Sequence, residues 1–230
     1  MADRELWTVA LGRVPYAEAL ELQRALARER ISGAVPQDVL LLLEHPPVVT
    51  LGRSAKEKNL TASPAFLESK GVELHEVERG GDVTFHGPGQ LVGYPIVDLK
   101  RHKLDLHWYL RQLEQVLIDL LAAYGIPGER NPGFTGVWTR GKKIASIGVH
   151  ARDWVTWHGF ALNVNTDLSW FDLIVPCGID GVVMTSLRRE FGTEEISMKD
   201  VIDRVSVSFA SAFDLTAVVT PRSALLETVA

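Results

Sequence analysis

At 230 residues, 46% of them hydrophobic, the chain has the length of one α/β domain and ample apolar material for its core. A formal charge of −5, from 24 Lys and Arg against 29 Asp and Glu, excludes the global basic field that gathers nucleic acid or an anionic membrane. Met1 to Glu5 is charged and leads into alternating residues, and no run reaches the ~20 apolar residues of a membrane span, so a soluble cytoplasmic protein is expected.

Residues 5–13 alternate as a strand, and Pro15-Tyr16 opens a helix whose apolar positions Ala17, Leu20, Leu22, Ala25 and Ile31 run to Gly33. The continuous apolar run over 38–43 predicts a central strand buried on both faces, and Val48 to Leu51 resumes an extended course before the Gly52-Arg53-Ser54 turn. Ser63-Pro64 has the capping chemistry of a short helix that closes at Gly71. Val72 to Val77 then alternates as a strand.

Residues 79–90, Arg-Gly-Gly-Asp-Val-Thr-Phe-His-Gly-Pro-Gly-Gln, set a short strand between two glycine-rich breaks. Val83 and Phe85 share one face, Thr84 and His86 the other. The glycines allow a backbone to wrap a ligand or simply to turn tightly, and they match neither a Walker loop nor a dinucleotide fingerprint. Leu91 to Leu99 reads as another strand, followed by an amphipathic helix from Leu106 to Tyr124 whose leucines read as core.

Residues 136–149 read as a hairpin turning at Arg140-Gly141. Strict alternation places Lys143 with Ala145, Ile147 and Val149, and Lys142 with Ile144, Ser146, Gly148 and His150, so one lysine of the two points inward. Ala145, Ser146 and Gly148 leave volume of the kind a ligand slot needs. Residues 157–165 form the next strand, Thr185 starts a helix carrying Leu187 and Phe191, and Ser197 with Asp200 resembles a capping box for a last long helix. The alternation of strands and helices predicts an α/β (α+β) fold over 1–230 as a single domain, a mixed sheet flanked by helices.

Cys177, in Ile174-Val175-Pro176-Cys177-Gly178-Ile179-Asp180-Gly181, is the only cysteine. It can form no disulfide within the chain and suits a reducing compartment. A free cysteine is often a small buried hydrophobe, but this proline and glycine turn presents a sulfur to a cavity. Thiolate is the reactive form, and a thiol of pKa ~8.5 needs a neighbouring cation to reach it near neutral pH. Lys143 is the candidate, as ammonium or as neutral base; His86 and His158 compete as bases. Backbone N–H groups of Gly178 and of residues 79–81 are candidate donors to an oxyanion. Acyl transfer through a thioester fits these groups.

The segments 79–95, 143–148, 158–165 and 176–178 together resemble the octanoyltransferases, or lipoyl(octanoyl) transferases, of the biotin/lipoate protein ligase superfamily. The Lys-Ile-Ala-Ser pattern identifies Lys143 rather than Lys142 as the dyad lysine. The resemblance implies a fold like the ligase catalytic domain. It also implies transfer of an octanoyl or lipoyl group from acyl carrier protein, through a thioester on Cys177 assisted by Lys143, to a lysine of the lipoyl domains of 2-oxoacid dehydrogenases and the glycine-cleavage H protein. Substrate binding is implied for Arg79, Gly80, Gly81, Asp82, Val83, Thr84, Phe85, His86, Ser146, Ile147, Gly148, Gly159, Phe160 and Ala161. Such a transfer needs no metal, nucleotide or other cofactor. The alternatives are an ATP-dependent lipoate–protein ligase, which would not depend on Cys177, a cysteine thioesterase using a histidine base, and a carrier-binding scaffold without activity. An acidic carrier protein is expected on a basic rim of Arg53, Lys56, Lys58, Arg140 and Lys142.

Overall fold

The structure, a computed structural model, describes residues 4–228, so the charged start at Met1 to Asp3 lies outside the described residues. In chain order the elements are β1 (Glu5–Arg13), α1 (Tyr16–Ser32), β2 (Asp38–Glu44), β3 (Val48–Leu51), α2 (Pro64–Ser69), β4 (Glu73–Glu76), β5 (Val83–His86) and β6 (Gln90–Ile96). They continue with α3 (Leu106–Ala123), β7 (Gly136–Thr139), β8 (Lys142–Arg152), β9 (Val155–Asn163), α4 (Leu187–Phe191), α5 (Met198–Ala212), β10 (Thr216–Val219) and α6 (Arg222–Glu227). Seven strands form a mixed sheet in the order β10-β1-β2-β6-β9-β8-β7, and three form a small sheet in the order β4-β3-β5.

The apolar run of β2 is buried on both faces because helices cover both sides of the large sheet. On one face Leu40, Leu42 and Leu162 pack with Leu113, Leu117 and Leu121 of α3 and Val201, Val205 and Phe209 of α5. On the other, Val39, Leu41 and Val92 meet Ala19, Leu26 and Ala27 of α1. Capping sets the helix boundaries. Ser63, Asp105 and Ser197 each accept a bond from the backbone three residues on, and α1 ends at Gly33, whose φ of 86° suits glycine.

Three boundaries differ from the sequence reading, and one strand adds to it. The strand expected over 91–99 ends at Ile96, after which Asp98 caps a one-turn 3-10 helix at Leu99–Arg101. The strand expected over 157–165 begins earlier, at Val155, because Asp153 and Trp154 both take positive φ and turn the chain in two residues. The helix expected from Thr185 starts at Leu187, since Ser186 is its cap. β10, unanticipated, pairs parallel to β1 at the sheet edge; it is short and mostly exposed, so it carries little periodic signal.

Candidate active site

The small sheet lies over the face of the large sheet that α1 covers, and a cavity of about 350 Å³ opens between them, within the range of small-molecule sites. Its floor is made by β6, β8 and β9. Ser146, Ala161 and Val92 are lateral neighbours there, one on each strand. Its roof is β5, with Asp82, Thr84 and His86 facing in.

Two elements bring Lys143 and Cys177 together. A β-bulge in β8, where Val137 pairs with Ala145 but Trp138 pairs with Lys143, inserts Ile144 as an extra residue. Strict alternation therefore fails. Ile144 and Ala145 both enter the core, while Lys143 and Ser146, placed on opposite faces by the sequence reading, both reach the same sulfur. Nζ of Lys143 lies 3.2 Å from Sγ of Cys177, and Oγ of Ser146 lies 3.6 Å from it. Lys142 turns outward to Glu190, which also binds Arg140 and accepts from the Thr185 hydroxyl, so two of the five rim cations are already paired.

Lys143 is 1% exposed. Its Nζ has the Thr135 carbonyl at 3.4 Å and the Trp138 ring face at 4.8 Å, and no carboxylate within ion-pairing distance among the described residues. The main chain fixes this residue too: its N–H donates to Val183 O at 2.8 Å and its carbonyl accepts from Thr185 N at 2.9 Å.

Cys177 sits at φ 57°, an uncommon setting for a residue with a Cβ, in a turn closed by Gly178 N to Val175 O at 2.9 Å. Asp82 and Asn59 hold that turn from beneath. Asn59 Nδ2 donates to Asp82 Oδ2 at 2.7 Å, Val175 N donates to Asn59 O at 2.7 Å, and a Cβ on Gly178 would stand 2.5 Å from Asp82 Oδ2. Asp82 lines the cavity, but its carboxylate is committed to the turn and to the Val83 N–H.

The glycines wrap an arginine. Arg79 is buried, its Nη2 donating to both oxygens of Thr50 at 2.8 Å, and hypothetical Cβ atoms on Gly52 and Gly148 would meet its side chain at 2.6 and 3.2 Å. The volume that Gly148 leaves is thus partly filled from within the chain. Burial also holds the guanidinium below its usual range.

Cys177, Lys143, Arg79, Gly80, Gly81, Asp82, Thr84, His86, Ser146, Ile147, Gly148, Gly159, Phe160 and Ala161 all line the cavity. Val83 and Phe85 do not, and this corrects the expectation for 79–86. The pleat turns both into the core of the small sheet, with Val49, Leu67, Phe171 and Ile174, where the Phe85 ring stacks on Trp170. A second correction concerns two of the candidate oxyanion donors. The N–H of Gly178 is spent on Val175 O and that of Gly80 on Val149 O.

Neither histidine base hydrogen-bonds Cys177. His86 is pushed down to about 3 by burial, and Gln90, whose amide nitrogen is fixed by Phe85 O and Asn163 Oδ1, presents Oε1 to Nδ1 at 2.8 Å. That network assigns the His86 proton to Nδ1. Burial also holds His158 below the imidazole range, against the pull of Glu78.

The sequence reading missed Tyr16, Val92, Tyr94, Leu106, Leu110 and Phe134 as lining residues. Leu106 and Leu110 read as core because they continue the leucine stripe, but the first turns of α3 reach the cavity, and Leu106 stays exposed. Tyr16 carried only the signal of a helix start.

The family described as the lipoyl protein ligase A/B catalytic domain matches residues 15–210. A protein of Rubrobacter xylanophilus named octanoyltransferase is 60% identical over 185 residues, 80% of this chain and 82% of its own. One of the same name from Gloeobacter violaceus is 52% identical over 202 residues, covering 88% and 87% of the two chains. Among solved structures, a bi-partite lipoate protein ligase from Thermoplasma acidophilum superposes with a TM-score of 0.77 at 15% identity, over 98% of this chain and 90% of that one. The biotin protein ligase of Aquifex aeolicus gives 0.57 at 14% identity, over 90% and 70%. At such identities the structural likenesses speak for the fold.

Proposed function

The chain belongs to the lipoyl protein ligase A/B catalytic-domain family and is an octanoyltransferase, and from that premise we propose that it carries the octanoyl group as a thioester on Cys177. The observation that carries this reading is the 3.2 Å approach of the buried Lys143 amine to a sulfur at the cavity mouth. Lys143 pairs with the Cys177 thiolate, which attacks the thioester carbonyl of an octanoyl-acyl carrier protein. The pantetheine thiol leaves with a proton from Lys143. A lysine amine of a lipoyl domain then attacks the enzyme thioester, and Lys143 takes the amine's proton as the Cys177 thiolate departs.

The acceptors on this reading are lipoyl domains of 2-oxoacid dehydrogenases and the glycine-cleavage H protein. Residues 1–230 act as one catalytic domain, in a reducing cytoplasm that keeps Cys177 free. No helix among the described residues is long and apolar enough to cross a membrane. The small residues Ser146 and Ala161 leave room for a saturated chain, whose binding grows by about 0.8 kcal/mol per buried methylene.

Intact-mass spectrometry after incubation with octanoyl-acyl carrier protein, without ATP, tests the reading. An octanoyl adduct is expected on the wild type and none on Cys177→Ser. Absence of the adduct from the wild type refutes it; transfer that requires ATP and survives Cys177→Ala is the behaviour of a ligase, and release of octanoic acid faster than transfer is that of a thioesterase.

A further inference from the structure

We propose that the acyl slot measures its substrate with a polar end wall, in which hydroxyl and imidazole groups that a methyl group cannot satisfy stop the chain at about the length of an octanoyl group. The inference rests on the acyl-transfer reading above and adds what sets the chain length.

The floor gives the distance. From Ser146, beside the sulfur, across Ala161 to Val92 is two strand spacings of ~4.8 Å, about 10 Å in all. The roof runs the same way and further: Asp82 lies under the cysteine turn, and His86 stands four residues along, about 13 Å. The shorter run, that of the floor, matches the reach of an extended octanoyl chain.

At that distance the lining changes character. Tyr16, His86, Tyr94 and His158 converge from α1, β5, β6 and β9, with Tyr16 and His86 rings 6.2 Å apart and Tyr94 and His158 rings 6.4 Å apart. Tyr94 is committed behind the wall: its hydroxyl donates at 2.7 Å to Nε2 of His45, whose Nδ1 donates to Val14 O. Others are not. Nε2 of His158 is buried with no hydrogen bond of ordinary length, its one charged neighbour being Glu78 Oε1 at 3.8 Å, and the hydroxyl of Tyr16, a buried residue, makes no hydrogen bond among the described residues.

Methylenes along the floor gain by burial. One pushed into this wall displaces whatever water serves those groups and leaves them unsatisfied, a cost that exceeds the gain from one or two further methylenes. A purely steric end would stop the chain by volume alone, and the two mechanisms separate in a variant that keeps the ring and removes the hydroxyl.

The experiment offers the enzyme octanoyl- and decanoyl-pantetheine thioesters in competition and reads the ratio of the two adducts by intact mass. The wild type is expected to favour octanoyl, and Tyr16→Phe and His158→Leu each to raise the decanoyl share about fivefold or more. If His158→Leu does not fold, Tyr16→Phe decides alone. A ratio unchanged within twofold in Tyr16→Phe overturns the polar wall while leaving acyl transfer standing; a wild type that takes no octanoyl group overturns the acyl-transfer reading and the wall with it.

Discussion

Replacing Lys143 with methionine should make the protein a poorer enzyme without making it less stable. Methionine keeps much of the length and apolar stem but removes the ammonium, which at 3.2 Å from a thiolate is worth about 5 kcal/mol at an effective dielectric of about 20. Part of that attraction only offsets the desolvation of a nearly inaccessible amine, leaving about 3 to 4 kcal/mol, or a 10²- to 10³-fold loss in the rate of Cys177 acylation. Stability should go the other way, because the departing charge strands no carboxylate: the groups it leaves are a carbonyl at 3.4 Å and an indole face. Single-turnover adduct formation and thermal unfolding on the same preparation give both numbers. Acylation of Lys143→Met within threefold of wild type would refute the pairing. A fall in melting temperature of more than about 5 °C would show that the lysine is structural.

Gly178→Ala should cut adduct formation at least tenfold, since the new Cβ meets Asp82 Oδ2 at 2.5 Å at a φ of 65°; normal acylation of this variant would show that the Asp82 contact does not position Cys177. Phe85→Ala should cost about 3 to 5 kcal/mol in stability with little change in octanoyl KM for the enzyme that remains folded, as measured by denaturant unfolding beside steady-state kinetics; a KM effect without a stability loss would return Phe85 to the slot. Burial lowers His45 to about 4 and His86 to about 3, so the unfolded chain binds more protons than the native one below pH 6.5. Stability should therefore be lost as pH falls through that window, by about 4 kcal/mol for the two between pH 7 and pH 5, and a flat urea midpoint over this range would contradict their burial as neutral rings.

Much of the fold was legible in the residues. The β2 run, the α3 stripe and the capping serines carry their own periodic or chemical signals, and each forms close to where it was expected. The site was legible only in pieces. Cys177 and Lys143 stand 34 residues apart, and what joins them is a bulge set by how β7 pairs with β8, which no property of β8 alone announces. Alternation correctly separated Val83 and Phe85 from Thr84 and His86, whereas the family resemblance, applied to 79–86 as a block, overrode that signal. The glycines were informative about close approach and silent about what approaches; that Arg79 fills the space depends on the β3 and β8 backbones arriving from elsewhere. The proposed end wall needs four elements to converge; His86 and His158 stood out as candidate bases, and Tyr16 and Tyr94 not at all.

Residues 183–185, just downstream of the cysteine turn, grip Lys143 through its own amide and carbonyl, so Cys177 and Lys143 hang from one strap of main chain. Their separation is thereby insulated from side-chain drift: Val183, 55% exposed, can change freely because only its carbonyl is engaged. The vulnerable point is an amide hydrogen, that of Thr185. Proline there would unfasten the strap and let Sγ of Cys177 and Nζ of Lys143 move apart while every side chain that touches them kept its identity.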